Sequence, residues 1–428
     1  MARRAMTILL RTVTAWVPAA LLLANALFTA WVVFYLHPME TAIFSDMAGY
    51  VRRAIEIDHG HFDPIHFFQP IGYTLWVAIW RRAAGGGWWL LKLTHVALVW
   101  MSVYLGWRTA RRLLPARWDL LALLLMSAQI QWWALASFAL SETLYTFLIT
   151  LLLWSAVRWA EKPDRRFAAV VGLAFAAGFY VKGSAALFPL LLGGWAVART
   201  APHPSALPRI AGHLVIMGAV ALSVALAHGT FAYTKYGQFK LGADAGGLNF
   251  VEGKCPSKHN FDNVGYSWLS PLFYYLGETE TKHWPVPFSN QSYYWREGWK
   301  CVRDDPMVLA TSGRYVYYLF AGNPLWPVET VRHVAERLYE ALFATVIVPL
   351  FAIGMLASFR RWRTPLVVPA LLYLALILAV WIFKSELRFR VPFDAITMIY
   401  ASLGAASVWN LLHARYRSYP LRQRRDTS

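Results

Sequence analysis

Residues 16–36 read WVPAALLLANALFTAWVVFYL, and after a short polar break residues 45–50 read SDMAGY. The first stretch carries no charge and is long enough for a helix to cross a hydrocarbon core, which takes roughly 20 apolar residues. Arg3, Arg4 and Arg11 precede it, and no small-residue cleavage pattern follows. An uncleaved first span with a cytoplasmic N-terminus is therefore expected. The second stretch brings a carboxylate, Asp46, to the point where the chain leaves the membrane.

The same template recurs along the chain. Further spans are predicted near 88–107, 119–137, 142–160, 167–181, 184–198, 210–232, 337–358, 366–383 and 392–412, about ten in all. Of the 428 residues, 58% are hydrophobic and 15% charged, against roughly 45–50% and 25% in soluble domains. A soluble fold could not keep so much apolar surface from water. The expected fold is thus an all-α polytopic membrane protein with about ten transmembrane helices, extracytoplasmic juxtamembrane helices and one large outer loop. The formal charge of +18 would suggest nucleic-acid binding in a soluble chain. Here the basic residues cluster between apolar stretches, as orientation signals facing membrane lipids; no nucleic-acid partner is expected.

Three regions follow: an N-terminal transmembrane module (1–232), an outer loop region (233–336), and C-terminal transmembrane helices with a basic cytoplasmic tail (337–428). Both termini are expected inside. Within the first outer loop (37–87), Tyr50–Ile57 and Pro70–Trp80 have the character of surface helices. Cys255 and Cys301, the only cysteines, fall in the large outer loop, where such a pair forms a disulfide.

Charges beside membrane helices are costly, so their positions carry information. Asp46 and Tyr50, four apart, share one helical face; capping is the plain alternative for Asp46. His59, His61 and His66, with Asp58 and Asp63, are the residues that could ligate a divalent metal, though Pro64 breaks their helical spacing. Glu142 stands at the outer start of a span, as a cap or a cavity carboxylate. Lys182 stands between two short spans, snorkelling or holding a phosphate. Lys384, Arg388 and Arg390 crowd a short outer loop where positive charge is disfavoured, and guanidinium groups there suit forked phosphate contacts. The stretch from Asn249 to Asn263, with Trp268, Tyr274 and Tyr275, suits carbohydrate hydroxyls and ring faces. Ionisable groups thus gather at one membrane face rather than at mid-depth, where a coupled transporter keeps its site.

In order and topology these pieces resemble the GT-C-fold, polyprenyl-phosphate-sugar-dependent glycosyltransferases, in particular the bacterial protein O-mannosyltransferase and aminoarabinose-transferase branch. The matching segments are Asp46 with Tyr50, Gln69-Pro70-Ile71-Gly72-Tyr73, Ser141-Glu142, Gly178 through Lys182 to Pro189, Gly246-Gly247-Leu248-Asn249-Phe250, Tyr294-Trp295-Arg296-Glu297-Gly298 to Pro306, and Arg388-Phe389-Arg390-Val391-Pro392. The resemblance implies a transferase in the inner (plasma) membrane with an extracytoplasmic active site. It implies Asp46 as catalytic carboxylate and a polyprenyl-phosphate-linked sugar as donor; the acceptor would be protein, lipid or polysaccharide. Glu142 is expected to assist, and Tyr50, Gln69, Tyr73, Lys182, Arg388 and Arg390 to bind substrate. Family members often have a lysine and two prolines where this chain has Gln69-Pro70-Ile71, so Lys182, Arg388 or Arg390 must supply the phosphate contact. No cofactor is expected. The alternative from another class is a transporter or flippase of an anionic lipid-linked substrate.

Overall fold

The computed structural model describes residues 2–41, 43, 45–255, 290–321, 338–339, 341–384 and 387–423. The chain is all-helical among these residues. Seven helices are long and apolar enough to cross a membrane: Trp16–Thr41, Trp89–Leu113, Trp118–Ala136, Ser141–Glu161, Pro204–Tyr236, Pro365–Ile382 and Val391–His413. The three remaining sequence-predicted spans correspond to shorter helices, Arg165–Val181, Phe188–Thr200 and the apolar run Phe343–Phe359. The first two are short because the chain breaks between them at Lys182, which leaves helical backbone; the third is preceded by further helical residues at 338–339 and 341–342. With these apolar helices the chain is an integral membrane protein.

Ser141–Glu161 is the central strut. Its membrane-length window is 72% buried, against 17% for the peripheral helix Pro204–Tyr236. Burying so many positions brings hydroxyls inside, and two of them are satisfied by the helix's own carbonyls: Thr146 Oγ1 donates to the Glu142 carbonyl and Thr150 Oγ1 to that of Thr146, each at 2.7 Å. The helical run that ends with Val348–Phe359 docks closely on its neighbour. Gly354 lies against the Tyr400 carbonyl and Gly404 against that of Leu350, with no room for a Cβ at either. Small residues let helix backbones approach in this way within a membrane.

The segment 37–87 folds into two helices between spans, Ser45–Asp58 and Ile71–Ala83, both somewhat longer than the sequence suggested. Pro70 caps the second without a side-chain bond. Gly72, in its first turn, sits on the Tyr180 carbonyl, so the surface helix rests directly on the end of Arg165–Val181. From the segment 233–336, Gly246–Lys254 and Gln291–Asp304 pack together. The Cys255 and Cys301 sulfurs, 2.08 Å apart, join them. Phe250 packs at a tilt against Trp295 and Trp299, ring centroids 4.5 and 5.2 Å away.

Candidate active site

Four loop-borne or helix-end segments converge where the surface helices meet the bundle. The Ser45–Asp58 helix carries Asp46 in its first turn. Ser141–Glu161 carries Glu142 in its first turn, where helix N-terminal dipoles favour an anion. Lys182 caps the C-terminus of Arg165–Val181, the end that favours a cation. Arg388 sits in the short 3-10 turn Leu387–Phe389.

Their side chains meet. Arg388 Nη2 is 2.9 Å from Asp46 Oδ2, and its Nη1 is 3.8 Å from Glu142 Oε1. Lys182 Nζ is 2.8 Å from that same Glu142 oxygen. Gln69 Nε2 donates to Asp46 Oδ1 at 3.1 Å. Tyr50 lies alongside, its hydroxyl 3.5 Å from Ser141 Oγ. All of these border one cavity of about 500 Å³, together with Asn249, Glu252, Lys384 and the apolar Phe179, Ala379 and Val380. Lys384 Nζ pairs with Glu252 at 2.6 Å. Ala379 and Val380 belong to the last turn of the apolar helix Pro365–Ile382, so the cavity is bordered by the end of a membrane-length helix.

The electrostatics follow from this enclosure. Burial pushes the Asp46 carboxyl up, but Arg388, followed by Lys182 and Lys384, outweighs it and holds the group below its ordinary value. Asp46 is therefore ionised at neutral pH. Burial pushes the Tyr50 phenol up, and the Asp46 and Glu142 charges add to the effect; it stays a neutral hydroxyl.

Two residues expected here lie elsewhere. Tyr73 is fully buried, with its hydroxyl 3.3 Å from His95 Nε2 and its ring edge-on to Tyr50 at 5.0 Å. It props Tyr50 from behind. Arg390 turns away from the cavity: Nε is 3.1 Å from Asp394, Nη2 donates to Gln131 at 2.8 Å, and the guanidinium lies 3.7 Å over Phe343. Arg390 lies past the turn that carries Arg388 and caps the next one, Val391–Phe393, four residues before Asp394. Of the histidines, His59 and His61 are exposed, and His66 is buried against Glu56 and the Tyr236 hydroxyl, at 2.9 and 3.0 Å. No cluster of three metal-ligating side chains occurs among the described residues. Of the sugar-stacking stretch, Asn263, Trp268, Tyr274 and Tyr275 lie outside the described residues.

Sequence reasoning passed over Arg53. Its Nη2 donates to Gln69 Oε1, orienting the amide whose nitrogen reaches Asp46, and its guanidinium lies 5.2 Å over the Tyr50 ring. The signal was there: positions 46, 50 and 53 share one helical face. Glu252 was missed as well, since its partner is 132 residues away.

The fold is that of the GT-C type of membrane protein. Among solved structures, the chain is similar to the archaeal oligosaccharyltransferase AglB from Archaeoglobus fulgidus in complex with an inhibitory peptide and a dolichol-phosphate. The identity is 14% and the TM-score 0.52, over 95% of this chain and 52% of that one. The apo form of the Archaeoglobus fulgidus oligosaccharyltransferase gives 15%, 0.52, 95% and 52%. ArnT from Cupriavidus metallidurans bound to undecaprenyl phosphate gives 16% and a TM-score of 0.42, over 92% of this chain and 79% of that one. The chain spans about half the length of the oligosaccharyltransferase structures it matches. No protein-family profile and no curated protein sequence matches it.

Proposed function

We propose that the protein is a membrane glycosyltransferase that moves a sugar from a polyprenyl-phosphate donor to an acceptor hydroxyl at the extracytoplasmic face, inverting the anomeric centre. The observation that carries this reading is the convergence of Asp46, Glu142, Lys182 and Arg388 on one cavity that also borders the end of the apolar helix Pro365–Ile382. A lipid-linked phosphate needs both features: fixed cations for its head and an apolar approach for its tail. The AglB structure of the same fold holds a dolichol-phosphate, which supports a lipid-phosphate donor here.

In the proposed step the acceptor oxygen forms its bond to the anomeric carbon as the carbon–oxygen bond to phosphate breaks from the opposite face. The acceptor's proton passes to Asp46, and the bonding pair leaves with the polyprenyl phosphate. Asp46, ionised beforehand by Arg388, offsets the positive charge that grows on the sugar in an oxocarbenium-like state. Arg388, with five N–H donors, can keep Asp46 and still turn donors to the departing oxygen. Lys182 and Lys384 add charge nearby. Glu142 holds Lys182 and Arg388 in register, and the Arg53–Gln69 pair holds Asp46. The acceptor is a protein, lipid or polysaccharide hydroxyl.

The test is mass spectrometry of envelope glycans and lipid-phosphate sugars in a deletion strain, paired with purified protein in vesicles. Accumulated donor, an under-modified acceptor and a new glycosidic bond in vitro are expected. Movement of intact lipid-linked substrate across the vesicle membrane, with no bond made or broken, would favour a flippase instead.

A further inference from the structure

A second cavity, of about 540 Å³, lies between the N-terminal ends of Arg165–Val181 and Leu207–Tyr236. Asp164, Arg165, Arg166, Arg209, Gly212 and His213 border it. It is at the end of the bundle away from Asp46. Ser141–Glu161 begins at the active-site cavity, and its 21 residues carry the chain about 30 Å before it turns at Asp164 and returns to Lys182.

Every charged group but one in this cleft is a cation. Asp164 is already engaged, its Oδ1 accepting the Arg166 backbone N–H at 2.7 Å. Arg165, Arg166 and Arg209 are exposed and form no ion pair among the described residues. His213 is a further, independent pointer. It is 5% exposed, and its Nδ1 lies 3.3 Å from Trp159 Nε1. An indole N–H can only donate, so Nδ1 accepts and the ring proton of neutral His213 is on Nε2. That nitrogen has no hydrogen-bond partner among the described residues and belongs to the side chain bordering the cleft. A buried side chain thus keeps one donor without a protein partner beside a cavity bordered by guanidinium groups. The helix behind it exposes Val215, Leu222 and Leu226, the apolar face expected toward lipid tails.

We propose that this cleft is a binding site for a phosphate-bearing anionic lipid headgroup, with Arg165, Arg166 and Arg209 around the phosphate and His213 Nε2 donating from below. Basic pockets between membrane helices hold such headgroups, and the lipid-facing helix beside the cleft accounts for the acyl chains. The site is separate from the Asp46 cavity and does not depend on the reaction assigned there.

The experiment is native mass spectrometry of the full-length protein released from membranes of equal phosphatidylglycerol and phosphatidylcholine. The wild type should retain phosphatidylglycerol. The triple variant Arg165→Gln, Arg166→Gln, Arg209→Gln should lose that retention by at least about tenfold, given the contribution of each basic residue at a membrane surface. Gly212→Leu fills the cleft with its charges intact, and its Cβ meets open space, so the fold tolerates it; it should lose retention similarly. The matched control Arg360→Gln, Arg361→Gln, Arg363→Gln should not. Retention unchanged in both cleft variants, or lost equally in the control, would overturn the proposal. So would a rise in melting temperature with glycerol 3-phosphate equal to that given by phosphatidylglycerol, which would make the ligand a soluble phosphate.

Discussion

Replacing Asp46 with Asn tests the proposed chemistry with little structural cost. The asparagine oxygen can still accept from Gln69 Nε2, now 3.1 Å from Asp46 Oδ1. What changes is the other side: an amide nitrogen would face Arg388 Nη2, where an oxygen now sits at 2.9 Å. Two donors repel, so Arg388 should swing toward Glu142, already 3.8 Å from Nη1. The charge around the phosphate position, balanced between Asp46 and Glu142 on one side and Lys182 and Arg388 on the other, becomes positive by one. Donor phosphate should therefore bind as tightly as in the wild type or more so. Turnover should fall by about 10²–10⁴, the usual contribution of a positioned base, or about 3–5 kcal/mol of barrier.

The assay is single-turnover transfer from a labelled polyprenyl-phosphate sugar by the reconstituted protein, alongside equilibrium binding of the same donor. The wild-type rate should show no acid limb from Asp46 between pH 7 and 5. Its depressed carboxyl keeps the charge on acidification and gives it up only below the ordinary aspartate value of about 3.9. Transfer by Asp46→Asn within about threefold of wild type, a loss far below any base's usual contribution, would refute the assignment. Loss of donor binding in step with rate would make Asp46 a binding residue instead.

The two outer-loop arginines should part company. Arg388→Gln should weaken donor binding with the melting temperature nearly kept, whereas Arg390→Gln strands the buried Asp394 carboxylate and should cost about 3–5 kcal/mol, read as collapsed yield of folded protein. Cys255→Ser with Cys301→Ser opens a loop of 46 residues and should cost the outer loop about 4 kcal/mol on the chain-entropy account, detected as proteolysis there at temperatures the wild type resists. Lys254 is buried, its ammonium 2.6 Å from both Ser312 Oγ and the Trp381 carbonyl, and burial lowers it to about 8. Below pH 8 it is charged in both folded and unfolded chains and the burial penalty is paid in full. Above that the folded chain loses its proton first, so thermal stability should rise from pH 8 toward the ordinary lysine value of about 10.4. Lys254→Met should flatten that rise.

Much of the architecture was legible because its signals are local. A charge-free run such as residues 16–36 has few alternatives to a span, and Gly354 and Gly404 disturb their helices too little to hide them. Span count was less legible, since apolarity does not measure length: Phe188–Thr200 is apolar but has only 13 residues. The surface helices were visible as periodic stretches, but their ends depended on tertiary contacts. Gly72, for example, meets Tyr180 across the fold.

The site was legible group by group and illegible as an arrangement. Asp46, Glu142, Lys182 and Arg388 each stood out for the same reason: hydrocarbon expels charge, so ionisable groups collect at helix ends where they can be counted in sequence. Their pairing obeys no local rule. Asp46 meets Arg388 and Glu142 meets Lys182, so three segments before position 183 and one near the end of the chain are tied by opposite charge. The same physics explains the failure at Arg390. In a poorly solvated interface a guanidinium must have a counter-charge, and two carboxylates compete for this basic run: Asp46 in the cavity and Asp394, four residues on. Arg388 sits in one turn and Arg390 caps the next, four residues before Asp394, so Arg390 goes to its helical neighbour and Arg388 to the cavity. Composition of the run announces an anionic partner; only the turn decides which arginine meets it.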